Sequence, residues 1–234
     1  MTDDQPDALI TATPLALHEG NFAKVHADFQ ADPVVNLLKD ATGNARASWG
    51  ATYVGHRKIL ADPLHTEDSN MQRSAKAAAR RQDESLRGLD AACQRAAREL
   101  QMIDEALSKP ADPPAPHLVK LVADRLSSMS QEQRSKIISE ALQNDDKVTI
   151  NAVLFSAPAW TFGLSNAERD LYRVQYQRSA FPTAVARRAE LEKAVDIATS
   201  AGQALIQAHG KLFDRKRLDE AAKLSQAAEA ALGD

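Results

Sequence analysis

Few residues of this chain belong to the types that usually carry out chemistry. The six histidines are at positions 18, 26, 56, 65, 117 and 209. His18 and His26 lie eight residues apart in a stretch without helical periodicity, which gives a two-histidine metal site little support. His209 falls on an apolar helical face, where a packed histidine is the favoured interpretation. We therefore predict no metal ion and no cofactor.

The single cysteine, Cys93, excludes an intramolecular disulfide. It falls on a predicted helical face with no histidine nearby in sequence, so we interpret it as a small packing residue and not as a nucleophile. Adjacent acids recur along the chain, but neighbouring residues on a helix do not converge on one substrate. The motifs of phosphate-binding loops, dinucleotide sites, zinc peptidases and serine hydrolases are absent. We predict that the protein is not an enzyme.

Two aromatic segments could bind a partner protein, because aromatic residues and arginine dominate binding hot spots. The first, SWGATYVGHRK, supplies Trp49, Tyr53 and Arg57. These residues could equally attach the amino-terminal region to the protein's own helices. The second, SAPAWTFGLS, supplies Trp160 and Phe162 in a segment that Pro158 and Gly163 mark as a loop.

A basic cluster, KLFDRKR, could contact phosphates through Lys211, Arg215, Lys216 and Arg217. Acidic residues balance basic ones over this part of the chain, and the net charge is −3. A solvated helix face is therefore favoured over nucleic-acid binding, which stays a third alternative.

The composition favours helices. The chain has 43 Ala and 24 Leu against 11 Val and 8 Ile, and alanine favours helix while β-branched residues favour strands. A helical face steps by three and four through Leu86, Leu89, Cys93, Ala96, Leu100, Ile103 and Leu107. A similar face follows Pro182, through Leu191, Val195, Ala198, Gly202, Leu205, His209 and Leu212.

These patterns predict five segments. Residues 1–65 are an irregular extended arm with one short helix, DPVVNLLKD, which Asp32 caps and Gly43 ends. Residues 66–108 form a long helix, and a proline-rich connector at 109–116 stops it. Residues 117–181 form a compact helical module, with Ser130 and Ser165 in capping boxes. Residues 182–234 form a long returning helix, broken near 210–214.

The predicted fold is all-α. The two long helices have matching apolar faces, and packing these faces against each other is the simplest way to bury them. The predicted architecture is an antiparallel, coiled-coil-like hairpin with the helical module at its tip. Alanines beside those faces, such as Ala78, Ala92, Ala201 and Ala208, would let a further helix approach closely. That helix could come from the arm, from a second copy or from another protein.

The run DDKVTINAVLFSAPAWTFGLSNAERDLYR, residues 145–173, resembles uncharacterised helical proteins from the structural gene sets of bacteriophages and prophages. The resemblance covers about an eighth of the chain and implies a structural, virion-associated role without an active site. The leading hypothesis is a non-enzymatic subunit whose arm and helices contact other subunits, identical or different. A helical adaptor that binds a partner through residues 156–164 is the alternative. No export signal or membrane span is evident, so we expect synthesis in the cytoplasm and, for a virion component, assembly into the particle.

Overall fold

A computed structural model describes residues 13–109, 113–213, 216, 218–220, 222–223 and 227. Every regular element among them is helical, which confirms the all-α class. The long helices are α1 (Pro33–Leu60), α2 (Glu67–Ser108) and α7 (Pro182–Leu212), and the shorter ones are α3 (Pro116–Ser127), α4 (Gln131–Gln143), α5 (Lys147–Asn151) and α6 (Asn166–Ala180). Within the described residues, no helix is long and apolar enough to cross a bilayer.

The chain divides into two compact units. Unit 1 contains residues up to Arg98 together with those from Glu190 onward, and unit 2 is Glu99–Ala189. The boundary falls within both α2 and α7.

The predicted pairing of the two long helices is present in both units. In unit 1, a Cβ atom built on Gly202 would lie 3.7 Å from Leu89 Cδ1 and 3.9 Å from Leu86 Cδ2. In unit 2, Arg187 Nη1 donates to Glu99 Oε1 at 2.8 Å, and Arg188 pairs with Asp104. Within unit 1, Cys93 of α2 pairs with Thr199 of α7, whereas the earlier Leu89 and Leu86 lie against the later Gly202, so the two helices are antiparallel there.

The amino-terminal prediction was wrong over residues 33–60, because α1 is one continuous helix of 28 residues in place of an irregular arm. Asp32 caps it as predicted, its carboxylate accepting from Val34 N–H at 2.8 Å. The helix does not end at Gly43, since a glycine costs an interior turn only about 1 kcal/mol. Burial of one face outweighs that cost, and this face runs through Leu38, Thr42, Ala45, Trp49, Thr52 and His56.

Helix α1 is the third helix of a bundle in unit 1. It contacts α2 where His56 Nδ1 lies 2.8 Å from Ser74 Oγ. It contacts α7 through Trp49, whose ring centroid lies 5.2 Å from that of His209 in an edge-to-face arrangement. Four of the alanines that the sequence offered to a further helix, Ala78, Ala92, Ala201 and Ala208, are buried in this unit, whereas Ala97 is exposed.

Three short 3-10 turns precede α1 and also pack on the protein's own helices. They are Leu15–Leu17, Glu19–Lys24 and Ala27–Phe29. The backbone N–H of His26 donates to Glu190 Oε2 at 2.9 Å, and Lys193 Nζ lies 2.7 Å from the other carboxylate oxygen. Hydrogen bonds from Lys193 and from His26 lower the pKa of Glu190, so this buried carboxylate is compensated.

Unit 2 is built around an irregular segment between α5 and α6. The segment begins with one π-helical turn, Ala152–Ser156, in which Ala152, Val153 and Leu154 are fully buried. Both predicted capping boxes are present, Ser130 with Gln133 at the start of α4 and Ser165 with Glu168 at the start of α6. At the other end of the chain α7 stops at Leu212, and described residues from Lys216 onward are again helical, which fits a break near 210–214.

The buried face of α7 provides a direct test of the helix packing. Leu205 is 1% exposed, and the next residue, Ile206, is 48% exposed. We expect Leu205→Ala to lower the free energy of unfolding by about 2–5 kcal/mol, because it leaves a cavity between helices. Ile206→Ala is the matched control and should cost less than about 1 kcal/mol. Urea denaturation followed by circular dichroism measures both, and equal losses would contradict the assigned face.

A second prediction concerns pH. Burial lowers the pKa of both His56 and His209, so the folded protein holds them neutral at a pH where the unfolded chain is already protonated. Stability is therefore complete above the unfolded value of about 6.5 and falls as pH decreases below it. We expect the melting temperature to drop between about pH 7 and pH 5.5.

In the double variant His56→Asn, His209→Gln, the melting temperature should decrease less between these pH values. This expectation does not depend on the melting temperature of the variant at neutral pH. His117→Gln changes an exposed histidine and should leave the slope intact. An unchanged slope in the double variant would show that other groups cause the pH dependence.

Candidate partner-binding site

The most exposed aromatic side chain among the large hydrophobic residues is Trp160, which is 75% exposed. It lies on a 3-10 turn, Ala159–Phe162, whose first and last residues are fully buried in the core of unit 2. Leu164, just beyond the turn, is buried as well. The turn is thus anchored on both sides while the indole projects into solvent, the arrangement of a contact residue and not of a core residue.

The turn closes through a residue in the left-handed conformation. Gly163 has φ 69° and ψ 24°, and its N–H donates to the Trp160 carbonyl at 3.0 Å. Leu164 N–H donates to the Ala159 carbonyl at 3.1 Å. A Cβ atom on Gly163 would lie 2.9 Å from Arg134 Nη1. Both the backbone conformation and the neighbouring guanidinium therefore call for glycine.

Three arginines near this turn, Arg134, Arg169 and Arg173, donate to backbone carbonyls, and we call them the arginine cluster. Arg173 Nη2 donates to the Leu154 carbonyl at 2.6 Å, and Arg169 Nη1 donates to the Ala157 carbonyl at 3.2 Å. Arg134 Nη1 donates to the Met129 carbonyl at 2.6 Å. Hydrogen bonds from a charged donor contribute roughly 1.5–3 kcal/mol each, so the segment that leads into the turn is firmly fixed.

The arginine cluster was not predicted from the sequence. The available signal was the spacing of Arg169 and Arg173, which places both on one face of α6. That face carries the bulky Tyr176 and Tyr172 too, so the two arginines point toward the core side of the helix. Their acceptors are backbone carbonyls, which no residue pattern reveals.

A polar group borders the turn at the start of α6. The Glu168 carboxylate accepts from Ser165 N–H at 2.7 Å and from Gln131 Nε2 at 2.9 Å. These hydrogen bonds lower the pKa of Glu168. An ionised carboxylate committed to a helix cap does not act as a general acid near neutral pH.

The predicted partner-binding residues differ in their exposure to solvent. Trp49 is 2% exposed and Phe162 is fully buried, so the prediction that they contact a partner was wrong, because both serve the protein's own cores. Of the two interpretations of the first aromatic segment, Trp49 supports internal attachment. Tyr53 is half-buried beside it, with ring centroids 6.3 Å apart, and Arg57 is exposed.

The structure describes two of the four candidate phosphate contacts. Lys211 and Lys216 are exposed, and Arg215 and Arg217 lie outside the described residues. Among the residues that are described, no three histidine, cysteine or acidic side chains form a group able to hold a metal ion. His18 and His26 accept hydrogen bonds from Gly20 N–H and Asp28 N–H, so each begins a 3-10 turn.

Cys93 lies in the contact between α2 and α7 and is half-buried. Burial raises the pKa of its thiol, and a hydrogen bond with Thr199 partly offsets this rise. The protonated thiol is a poor nucleophile, which agrees with a packing role.

Gly163 allows the geometry of the turn to be tested. We expect Gly163→Ala to destabilise unit 2 by about 1–3 kcal/mol, because alanine is strained at positive φ and meets Arg134. Gly88→Ala is the control, since nothing lies within 4 Å of its added Cβ atom. Within α2 it should stabilise by roughly 0.5–1 kcal/mol. Urea denaturation distinguishes these opposite signs, and a neutral Gly163→Ala would contradict the described turn.

Comparisons of this chain with protein-family models, with curated proteins and with solved structures found no match.

Proposed function

We propose that this protein is a non-enzymatic helical interaction module that binds a partner protein through Trp160. The observation that carries the proposal is an indole left 75% exposed on a turn whose neighbouring residues are buried. Tryptophan is among the residues most enriched in binding hot spots, and such residues contribute most when they are held in place beforehand.

The surroundings of Trp160 support a protein partner. A buried tryptophan removes roughly 150–250 Å² from water, and indole combines an apolar ring with one hydrogen-bond donor. Ser165, Gln131 and Glu168 provide a polar border beside the turn. An apolar centre with a polar border is the usual composition of protein interfaces. Because the arginine cluster already fixes the backbone, little conformational entropy would be lost on binding.

The subunit hypothesis from the sequence needs a different contact surface. It relied on an amino-terminal arm that lies on neighbouring subunits, but residues 33–60 form α1 and pack on α2 and α7 of the same chain. The partner in our proposal can still be another subunit of an assembly, a virion included. The contact is then made by the Trp160 turn.

Two substitutions test the proposal. Trp160→Ala should weaken partner binding at least about thirtyfold, the effect of losing a hot spot worth about 2 kcal/mol. Leu171→Ala is the matched control, because Leu171 is an apolar residue of the same unit that is 67% exposed. It should leave binding unchanged.

The measurement has two stages. Light scattering of the wild-type protein and both variants first tests a second copy as the partner. Proteins retained from a native extract by the wild type, but not by Trp160→Ala, are then purified and titrated. In a Trp49→Phe background, Trp160 is the only tryptophan, and its emission should shift to shorter wavelength on binding. Equal binding by the wild type and Trp160→Ala would refute the proposal.

A further inference from the structure

The side of α2 that faces away from the core of unit 1 is rich in basic side chains. Ala78 and Leu89 are buried on the inner side of this helix. Arg73, Arg80 and Arg87 follow one another at intervals of about two helical turns, so they lie in line on the outer side. Seven exposed basic residues lie on this side or at its edges, and we call them the basic face: Arg73, Lys76, Arg80, Arg81, Arg87, Arg95 and Arg98.

The basic face has few acidic neighbours. Over the same stretch the chain contains three acidic residues, Asp83, Glu84 and Asp90. By its spacing Glu84 falls on the outer side, and the other two fall at its border. Within the described residues, the only ion pair of the basic face joins Arg73 Nη1 to Asp62 Oδ2 at 3.1 Å. The other six basic side chains are therefore available to a partner.

The charge balance along the chain conceals this surface. Glu99 and Asp104 of α2 form ion pairs with arginines of α7. Glu67 and Asp68 lie in the first turn of α2, where the helix dipole favours acidic residues. The even balance that disfavours nucleic-acid binding in the sequence is thus not reproduced on the outer side of α2 in unit 1.

The chemistry of the basic face favours phosphate groups over a protein surface. Among residues 73–98, all of which the structure describes, no large hydrophobic side chain is exposed. Protein interfaces usually have such residues at their centre. Six of the seven basic residues are arginines, and a guanidinium group binds phosphate through two parallel hydrogen bonds. The face extends about 38 Å, since each helical residue rises 1.5 Å, so it can contact several phosphates of one strand.

We propose that the basic face of α2 binds the phosphate backbone of a nucleic acid. Phosphate contacts carry no sequence information, so the binding does not depend on base sequence. The basic face belongs to unit 1 and the Trp160 turn to unit 2. This proposal is therefore independent of the proposed function.

The salt dependence of DNA binding tests the proposal. Fluorescence anisotropy of a labelled duplex of about 24 base pairs measures the association constant at several NaCl concentrations. We expect its logarithm to fall linearly with the logarithm of salt concentration. The slope should be about −5, because six available cations each neutralise one phosphate and each contributes about −0.9. A second duplex of unrelated sequence should bind within about twofold of the first.

Removal of three arginines should change both the affinity and the slope. The triple variant Arg80→Gln, Arg87→Gln, Arg95→Gln should bind at least about tenfold more weakly at low salt, with a slope of about −2.5. Glutamine favours helix about as well as arginine does, so α2 should be retained. Circular dichroism checks that the helix content is unchanged.

The matched control removes the same charge elsewhere. Lys39→Gln, Arg125→Gln, Arg178→Gln changes three exposed basic residues outside α2 and should keep the wild-type slope. Trp160→Ala should also bind DNA like the wild type. Equal slopes for the two triple variants would overturn the proposal, as would the absence of binding at 25 mM NaCl with 100 µM protein. Displacement of the DNA by polyglutamate at equal charge concentration would overturn it in favour of an acidic protein partner.

Discussion

The close approach of alanine faces is the constraint on which unit 1 depends. Ala194, Ala198 and Ala201 of α7 are fully buried, as is Ala96 of α2. Each alanine removes little apolar area from water and so contributes little free energy. Alanine-rich helices must therefore pack closely and over a long stretch. The large apolar side chains of the core must come from another helix. Helix α1 supplies Leu38 and Trp49.

The helix that supplies this bulk also brings polar groups into the core. Thr42 is satisfied by the carbonyl of Leu38, at 2.9 Å, and His56 by Ser74. Burial lowers the pKa of both His56 and His209. The same contacts that complete the bundle make its stability respond to mild acid. A substitution of either histidine therefore changes both the packing of unit 1 and the pH dependence of its stability.

In unit 2, the position of an exposed side chain depends on how the backbone beneath it is held. After the π-helical turn the chain becomes extended at Ala157, so carbonyls there lack the donors of a continuing helix. Arg169 and Arg173 provide donors in their place, and the segment becomes rigid. A rigid segment can carry an exposed tryptophan at a defined position. The two tryptophans thus have opposite environments, since Trp49 is buried in the core of unit 1 and Trp160 is exposed on unit 2.

Features that depend on local energetics could be predicted from the sequence. The helical class follows from alanine, the start of α1 from Asp32 and Pro33, the capping boxes from Ser130 and Ser165, and the paired faces of α2 and α7 from their spacing of three and four.

The remaining features depend on contacts between segments that are distant in sequence. The full length of α1 was missed because Thr42, Thr52 and His56 interrupt its apolar pattern, and only packing against other segments buries them. Packing against other segments also decides which of the two tryptophans can bind a partner. Trp49 and Trp160 both lie in segments rich in aromatic residues, and only the packing of neighbouring helices buries one indole and leaves the other in solvent. Residue type sets what a side chain can contribute, but its distance from the rest of the folded chain decides whether it acts in the core or at the surface.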